Sequence, residues 1–231
     1  MIVFGKNVFN EILENRKNIR KIYLSQNFHD NEIMQIIKKN KLKYISVNSN
    51  ELNRLTKNGN HQGIALDIDE YNYYSLVEII ARNDNFIVVL DHLEDPHNLG
   101  AIIRTCEAAG VKSIIIPKDR SVQVNETVMK TSVGALEYVN VCRVNNLVNA
   151  INELKDNGYF VYGTKMDGKD YRQVDFADKV ALVIGNEGKG ISKLVSDNCD
   201  EIVKINMIGK INSLNASVST AILIYGIKKD L

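Results

Sequence analysis

Apolar residues recur along the chain at two spacings. In the first 68 residues helical and strand spacings alternate. Val8, Phe9, Ile12 and Leu13 lie three and four apart, which predicts a helix over 8–14. Residues 19–24 read as a strand. Asp30 stands where a helix cap belongs, ahead of Ile33, Ile36 and Ile37 on one face of a helix to 39. A short strand over 44–47, a helix capped by Ser49 and running to about 57, and a strand over 63–68 complete a small α/β unit. Residues 69–74 carry neither period and read as a linker, followed by a helix over 75–82.

The texture then changes. Apolar strands are expected at 86–90, 113–116, 138–141, 159–162, 180–184 and 201–205, with helices over 98–109, 125–131, 145–157 and 213–229. Strands that are apolar throughout, alternating with helices, predict a parallel sheet covered on both faces. Ligands of such sheets sit beyond the carboxyl ends of the strands. The segments after Leu90, Tyr162, Ile184 and Ile205 are therefore the ones to search for chemistry.

The first such segment runs Asp91-His92-Leu93-Glu94-Asp95-Pro96-His97-Asn98-Leu99-Gly100 and leads into Arg104. Its His and carboxylate residues leave a metal-dependent hydrolase reading open through Asp91, His92, Asp95 and His97. Against it stands the composition of any helix entry, where carboxylates serve as caps. Asn98 and Arg104, nearly two turns apart on one helix, are expected at the mouth of one cleft. Arg104 among Ile102, Ile103 and Cys106 calls for an anion or a structural ion pair. The second segment, Gly185-Asn186-Glu187-Gly188-Lys189-Gly190, fits neither a phosphate-binding P-loop nor a dinucleotide fingerprint, yet its glycines let backbone approach a ligand closely. The third places Ser213, Asn215, Ser217 and Ser219 at the start of an apolar helix, where free amides can meet a ligand.

Taken in this order, the segments resemble the three motifs of the SpoU, or TrmH, family of RNA 2′-O-ribose methyltransferases. Asn98-Leu99-Gly100-Ala101-Ile102-Ile103-Arg104-Thr105 resembles N-x-G-x-x-x-R-[ST]. Gly185 to Gly190 resembles G-x-E-x-x-G. Ile205 to Ser217 is similar to I-P-M-x-G…S-L-N-V-S, with Asn206 in the place of proline and Ala216 in the place of valine. Gly5-Lys6-Asn7-Val8 and His61-Gln62-Gly63 are similar to members that carry an N-terminal substrate-binding module.

The resemblance implies an α/β fold: a small N-terminal L7Ae/L30e-like domain over 1–70, a linker and first helix over 71–84, and a parallel-sheet SPOUT domain over 85–231 with a deep trefoil knot. It implies S-adenosylmethionine as cofactor, held at Thr164, Gly185, Ile205, Met207 and Leu214. It implies a catalytic group of Arg104, Asn98, Glu187, Ser213 and Asn215, no metal, and a homodimer. The substrate expected is a guanosine ribose of 23S rRNA. A tRNA substrate, an rRNA adenosine or a non-catalytic assembly factor of the same fold are the alternatives.

Charge, cysteine and targeting signals refine this picture. Residues 1–66 hold 11 basic against 5 acidic residues, whereas the remainder holds 18 against 23. A basic module joined to an acidic one predicts contact of the first with a polyanion, with Lys38, Lys39, Lys41 and Lys43 as candidate RNA contacts. Cys106, Cys142 and Cys199 show no metal or redox spacing and are expected as free thiols. The absence of a long apolar run or signal-peptide core predicts a cytoplasmic protein.

Overall fold

The computed structural model describes residues 1–14, 19–210 and 213–228, and they fall into two compact units, Met1–Tyr71 and Asn72–Leu231. The first contains β1 (Ile2–Phe4), α1 (Lys6–Glu14), β2 (Ile19–Ser25), α2 (Asn31–Lys39), β3 (Tyr44–Val47), α3 (Ser49–Leu55) and β4 (Ile64–Ile68). Its sheet runs β1-β4-β2-β3, antiparallel except for β2 beside β3. Asp30 caps α2 as expected, its side chain accepting from the Ile33 N–H at 3.1 Å. Asn48, rather than Ser49, caps α3. The two segments that resemble the substrate-binding module meet: the Lys6 N–H donates to the Gln62 side-chain oxygen at 3.0 Å, and the Gly5 N–H to the Ile64 carbonyl at 3.1 Å. β1 was invisible to periodicity because a three-residue strand holds too few positions to show an alternation.

The second unit opens on α4 (Leu76–Ala81), whose Ser75 forms a reciprocal capping pair with Glu78. There follow β5 (Phe86–Asp91), α5 (Pro96–Ala108), β6 (Ser113–Pro117), α6 (Glu126–Ser132), β7 (Asn140–Val144), α7 (Leu147–Asp156), β8 (Phe160–Asp170), β9 (Val180–Gly185), α8 (Lys193–Asp197), β10 (Glu201–Lys204) and α9 (Ala216–Ile227). The six strands pair in parallel in the order β10-β8-β9-β5-β6-β7. Ile87, Val89, Ala181 and Val183 face one way, into a core closed by α4, α7 and α8. Successive side chains point to opposite faces, so Val88, Leu90 and Leu182 fill the other layer. That layer is covered by α5, α6 and α9.

Several boundaries moved for identifiable reasons. Tyr138 closes a tight turn over Ala135–Glu137, so β7 begins at Asn140 instead. The Tyr74 N–H bonds the Val141 carbonyl at 3.0 Å, so the end of the expected linker lies along β7. β8 runs on to Asp170 although its second half is polar, because β10 pairs with it on both sides of a bulge between Ile202 and Val203. α9 starts at Ala216 with Asn215 as its cap, and the expected continuation to 229 reaches beyond the described residues. Cys106 and Cys142 are buried and Cys199 is partly so; none is in a disulfide, and burial pushes the Cys142 and Cys199 thiols up to about 12. No helix among the described residues is long and apolar enough to cross a membrane.

Gly100 sits where α5 crosses α6. A Cβ there would stand 2.6 Å from Thr131 Cβ and 3.1 Å from the Val128 carbonyl oxygen. We expect Gly100→Ala to lower stability by about 1–2 kcal/mol in chemical denaturation, because overpacking exceeds the gain of up to about 1 kcal/mol from replacing a helical glycine. An unchanged midpoint would show that α6 yields freely.

Candidate active site

The carboxyl end of β9 turns back on itself. A Cβ on Gly185 would lie 2.1 Å from the Gly190 carbonyl carbon, so only glycine allows this return. Gly190 closes the turn at φ +65°, and Asn186 and Gly190 exchange backbone bonds of 3.2 and 2.8 Å. The Asn186 side chain then fastens the turn to the loop after β5. Its Nδ2 donates to the His92 carbonyl at 3.0 Å, and its Oδ1 accepts from the Gly188 N–H at 3.0 Å. Asp91, buried at the end of β5, accepts from the Ser192 N–H at 2.6 Å.

A chain of three side chains crosses this assembly. Asn98, 7% exposed, donates from Nδ2 to Glu187 Oε1 at 2.5 Å and accepts at Oδ1 from Asn215 Nδ2 at 2.9 Å. The direction is fixed by chemistry. An ionised carboxylate only accepts, so the Asn98 amide turns its NH₂ to Glu187 and its oxygen to Asn215. The Asn215 oxygen is in turn occupied by the Ser217 N–H and hydroxyl, at 2.9 and 2.6 Å, at the start of α9. Residues 98, 187 and 215, one from each motif-like segment, are thus joined side chain to side chain.

Beside this relay lies a cleft of about 500 Å³ between the 185–191 turn, the end of β8, the segment after β10 and the start of α9. Thr164, Gly185, Ile205, Met207 and Leu214 all line it, as do Glu187 and Ser213. Thr164 Oγ1 donates to the Val183 carbonyl at 2.9 Å, which fixes that wall to β9. Asn98 is buried and reaches the lining through Glu187, and Asn215, exposed at the start of α9, joins through Asn98.

Arg104 is placed differently from expectation. Six residues beyond Asn98 it is turned about 120° around the helix. Ile102, Ile103 and Cys106 point inward and Arg104 points to solvent. No ion pair holds its guanidinium among the described residues, so the structural salt bridge is not formed. In the first unit Lys38, Lys39, Lys41 and Lys43 are exposed at the end of α2 and in the turn that follows. The carboxylates and histidines before α5 are engaged separately: Asp95 caps α5 through the His97 N–H at 2.8 Å, and His92 pairs with Asp91. No cluster of three or more metal-type ligands occurs among the described residues.

Asp170 was not singled out from sequence. It is a buried carboxylate at the end of β8, bonded to the Arg172 guanidinium at 2.6 Å and to Asn206 Nδ2 at 2.6 Å. Asn206, in the place of the motif's proline, therefore anchors the segment after β10 by a side-chain bond. The only trace in the sequence is the Asp-Tyr-Arg spacing, which is too common to notice.

The sequence pattern of the SpoU rRNA Methylase family matches residues 85–225. That described as RNA 2′-O ribose methyltransferase substrate binding matches residues 2–74. A protein of Staphylococcus aureus (strain MSSA476), assigned to the TrmH family of tRNA/rRNA methyltransferases, is 41% identical over 97% of this chain and 94% of its own length. One from Staphylococcus saprophyticus with the same assignment is 39% identical over the same shares. Among solved structures, the SpoU methyltransferase AviRb of Streptomyces viridochromogenes, in complex with the cofactor AdoMet, superimposes with a TM-score of 0.81 over 98% of this chain and 88% of that one, at 21% identity. An AdoMet-bound rRNA methyltransferase from Sinorhizobium meliloti gives 0.81 over 100% and 87%, at 24% identity. The fold is that of the SPOUT methyltransferases. The chain belongs to the SpoU rRNA Methylase family and is an RNA methyltransferase of the SpoU/TrmH type.

The Asp170 clamp makes a pH-dependent prediction. Hydrogen bonds from the Arg172 side chain and N–H hold the Asp170 carboxyl below the ordinary range. A lowered folded pKa gives stability that is present above the unfolded value of about 4 and is lost as pH falls through the folded value. Melting of Asp170→Asn should therefore fall below wild type at pH 7, with the gap closing as pH falls below about 4. A gap that stays constant over that range would show that Asp170 is not ionised in the folded protein.

Proposed function

We propose that the protein transfers a methyl group from S-adenosylmethionine to a ribose 2′-hydroxyl in structured RNA, with a guanosine of 23S rRNA as the favoured substrate. The observation that carries this reading is the Asn215–Asn98–Glu187 relay standing beside the cleft. The cleft suits the cofactor. Its volume lies within the roughly 300–1,000 Å³ usual for such ligands. Ile184, Leu214 and Leu223 offer apolar walls, and Gly185 leaves its backbone open to close approach. Thr164, Gly185, Ile205, Met207 and Leu214 would hold it. Bound there, S-adenosylmethionine supplies a methyl group already activated on a sulfonium.

What remains for the protein is orientation and exposure of the nucleophile. Arg104, with no partner among the described residues, is free to take a phosphate of the RNA and to stabilise negative charge developing on the 2′-oxygen. A guanidinium keeps its proton, so Arg104 acts as an electrostatic clamp and not as a base. Asn98 holds Glu187 in position, and Asn215 and Ser213 fix the loop that borders the bound nucleotide. The exposed lysines of the first unit supply RNA affinity. The reading includes a homodimer and the family's knotted chain end. α9 supports the former, since this largely apolar helix leaves Val218 and Tyr225 exposed.

Calorimetry with S-adenosylmethionine in chelator should show saturable binding near one site per chain; no binding at millimolar ligand would favour an assembly factor instead. Arg104→Ala should cut single-turnover methylation of unmodified rRNA by about 10²–10³ while cofactor affinity stays within about twofold. A comparable loss of cofactor affinity would remove Arg104 from the RNA side of the site. Methyl transfer to tRNA alone would keep the chemistry and move the substrate. Replacing Lys38, Lys39, Lys41 and Lys43 together by alanine should weaken RNA binding and flatten its salt dependence, by about 0.7–0.9 in slope for each phosphate no longer neutralised. An unchanged slope would take the RNA interface elsewhere.

A further inference from the structure

The turn from Asn186 to Gly190 has two sides. One lines the cleft already described. The other lines a second hollow, of about 720 Å³, at the carboxyl ends of β5, β6, β7 and β9. Asn186, Lys189 and Gly190 border both. None of the residues assigned above to the cofactor or to the methyl-transfer step lines this second space.

Its floor is built with care for one side chain. The His92 Nδ1 lies 2.5 Å from Asp91 Oδ1, and Asp91 is 1% exposed with its other oxygen occupied by the Ser192 N–H. A buried ionised carboxylate can only accept, so it draws the ring proton of His92 to Nδ1 and leaves Nε2 for whatever enters the hollow. His92 holds this pose at φ +56°, a left-handed conformation that a side-chain-bearing residue adopts at a cost. Arg120, which also lines the hollow, is likewise left-handed, at φ +51°, and its guanidinium has no partner among the described residues. Lys189 stands on the shared wall. Leu194, 71% exposed on α8, offers an apolar platform, and Asn145 offers an amide.

These groups exclude simpler occupants. A free inorganic anion would engage Arg120 and Lys189 and leave Asn145, His92 and Leu194 unused. A metal ion would meet the cations, and Asp91 is already committed. A nucleotide satisfies all of them. Its phosphate suits Arg120 and Lys189, its base edge suits Asn145 and His92 Nε2, and its flat face suits Leu194. The shared wall sets this nucleotide beside the cofactor cleft, at which the ribose to be methylated must also be presented. We infer that the second hollow seats a nucleotide of the substrate RNA that flanks the one to be methylated. The inference rests on the proposed methyl-transfer reading. On it, Arg120 and Leu194 determine which RNA is accepted and have no part in the chemical step.

The test uses the full chain saturated with S-adenosylmethionine, so that the first cleft is filled. In NMR titrations with adenosine, guanosine, cytidine and uridine 5′-monophosphates, shifts should gather at His92, Arg120 and Asn145. With Arg120→Ala/Leu194→Glu they should vanish. That variant changes only exposed side chains. It should raise KM for unmodified rRNA at least tenfold and leave kcat and cofactor affinity within twofold. Shifts confined to other surfaces, or an unchanged KM, would overturn the inference while leaving the methyltransferase reading intact. Failure of wild type to bind the cofactor would instead strike the reading beneath it.

Discussion

A buried amide must find partners for both of its ends, and the amide of Asn98 finds them on two segments far away in sequence. Its NH₂ goes to Glu187 and its oxygen to Asn215. Leaving either end unpaired in the interior would cost roughly 1–3 kcal/mol. The loop after β9, the start of α5 and the start of α9 are therefore held in one arrangement. The cleft exists only where those three segments meet the end of β8.

The sheet makes that meeting available. Six parallel strands deliver their carboxyl ends to one edge, and the loops that leave them are neighbours whatever their separation along the chain. The crossover that places β8 and β10 beyond β9 brings Thr164 and Ile205 to the same side as Gly185. Small residues then let the parts approach. Gly100 admits α6 against α5, and Gly185 admits its own returning turn. Asn206 shows the same economy in a different form. The family's proline would stiffen the segment after β10 through its ring. Here a bond to Asp170, itself paired with Arg172, performs the anchoring.

The two units divide the labour by charge. The excess of basic residues lies in the first, where lysines at the end of α2 face solvent, and the acidic excess lies in the second. On the proposed reading, a polyanion would be attracted to one module and met in the other by separate cations, Arg104 on α5 and Arg120 and Lys189 around the second hollow. Specificity on such a surface comes from where the few cations stand more than from total charge.

The sequence by itself determined the fold class and the order of the long elements, and it singled out seven residues that line the cleft. Uninterrupted apolar strands between amphipathic helices have few other architectures open to them, and Asn98, Glu187 and Asn215 stood out through their motif-like spacing. The tertiary structure decided the rest. Periodicity could not extend β8 to Lys169 and Asp170, because that end is held by pairing with Val203 and Lys204 of β10 and not by an apolar pattern. It could not show that Arg104 faces solvent, since its apolar neighbours in sequence lie on the other side of the helix. It could not join Asp170 to Asn206, or reveal that the Asn186–Gly190 turn borders a hollow on each side. Those features depend on contacts between segments tens of residues apart, and local patterns carry no record of which distant partner a side chain will meet.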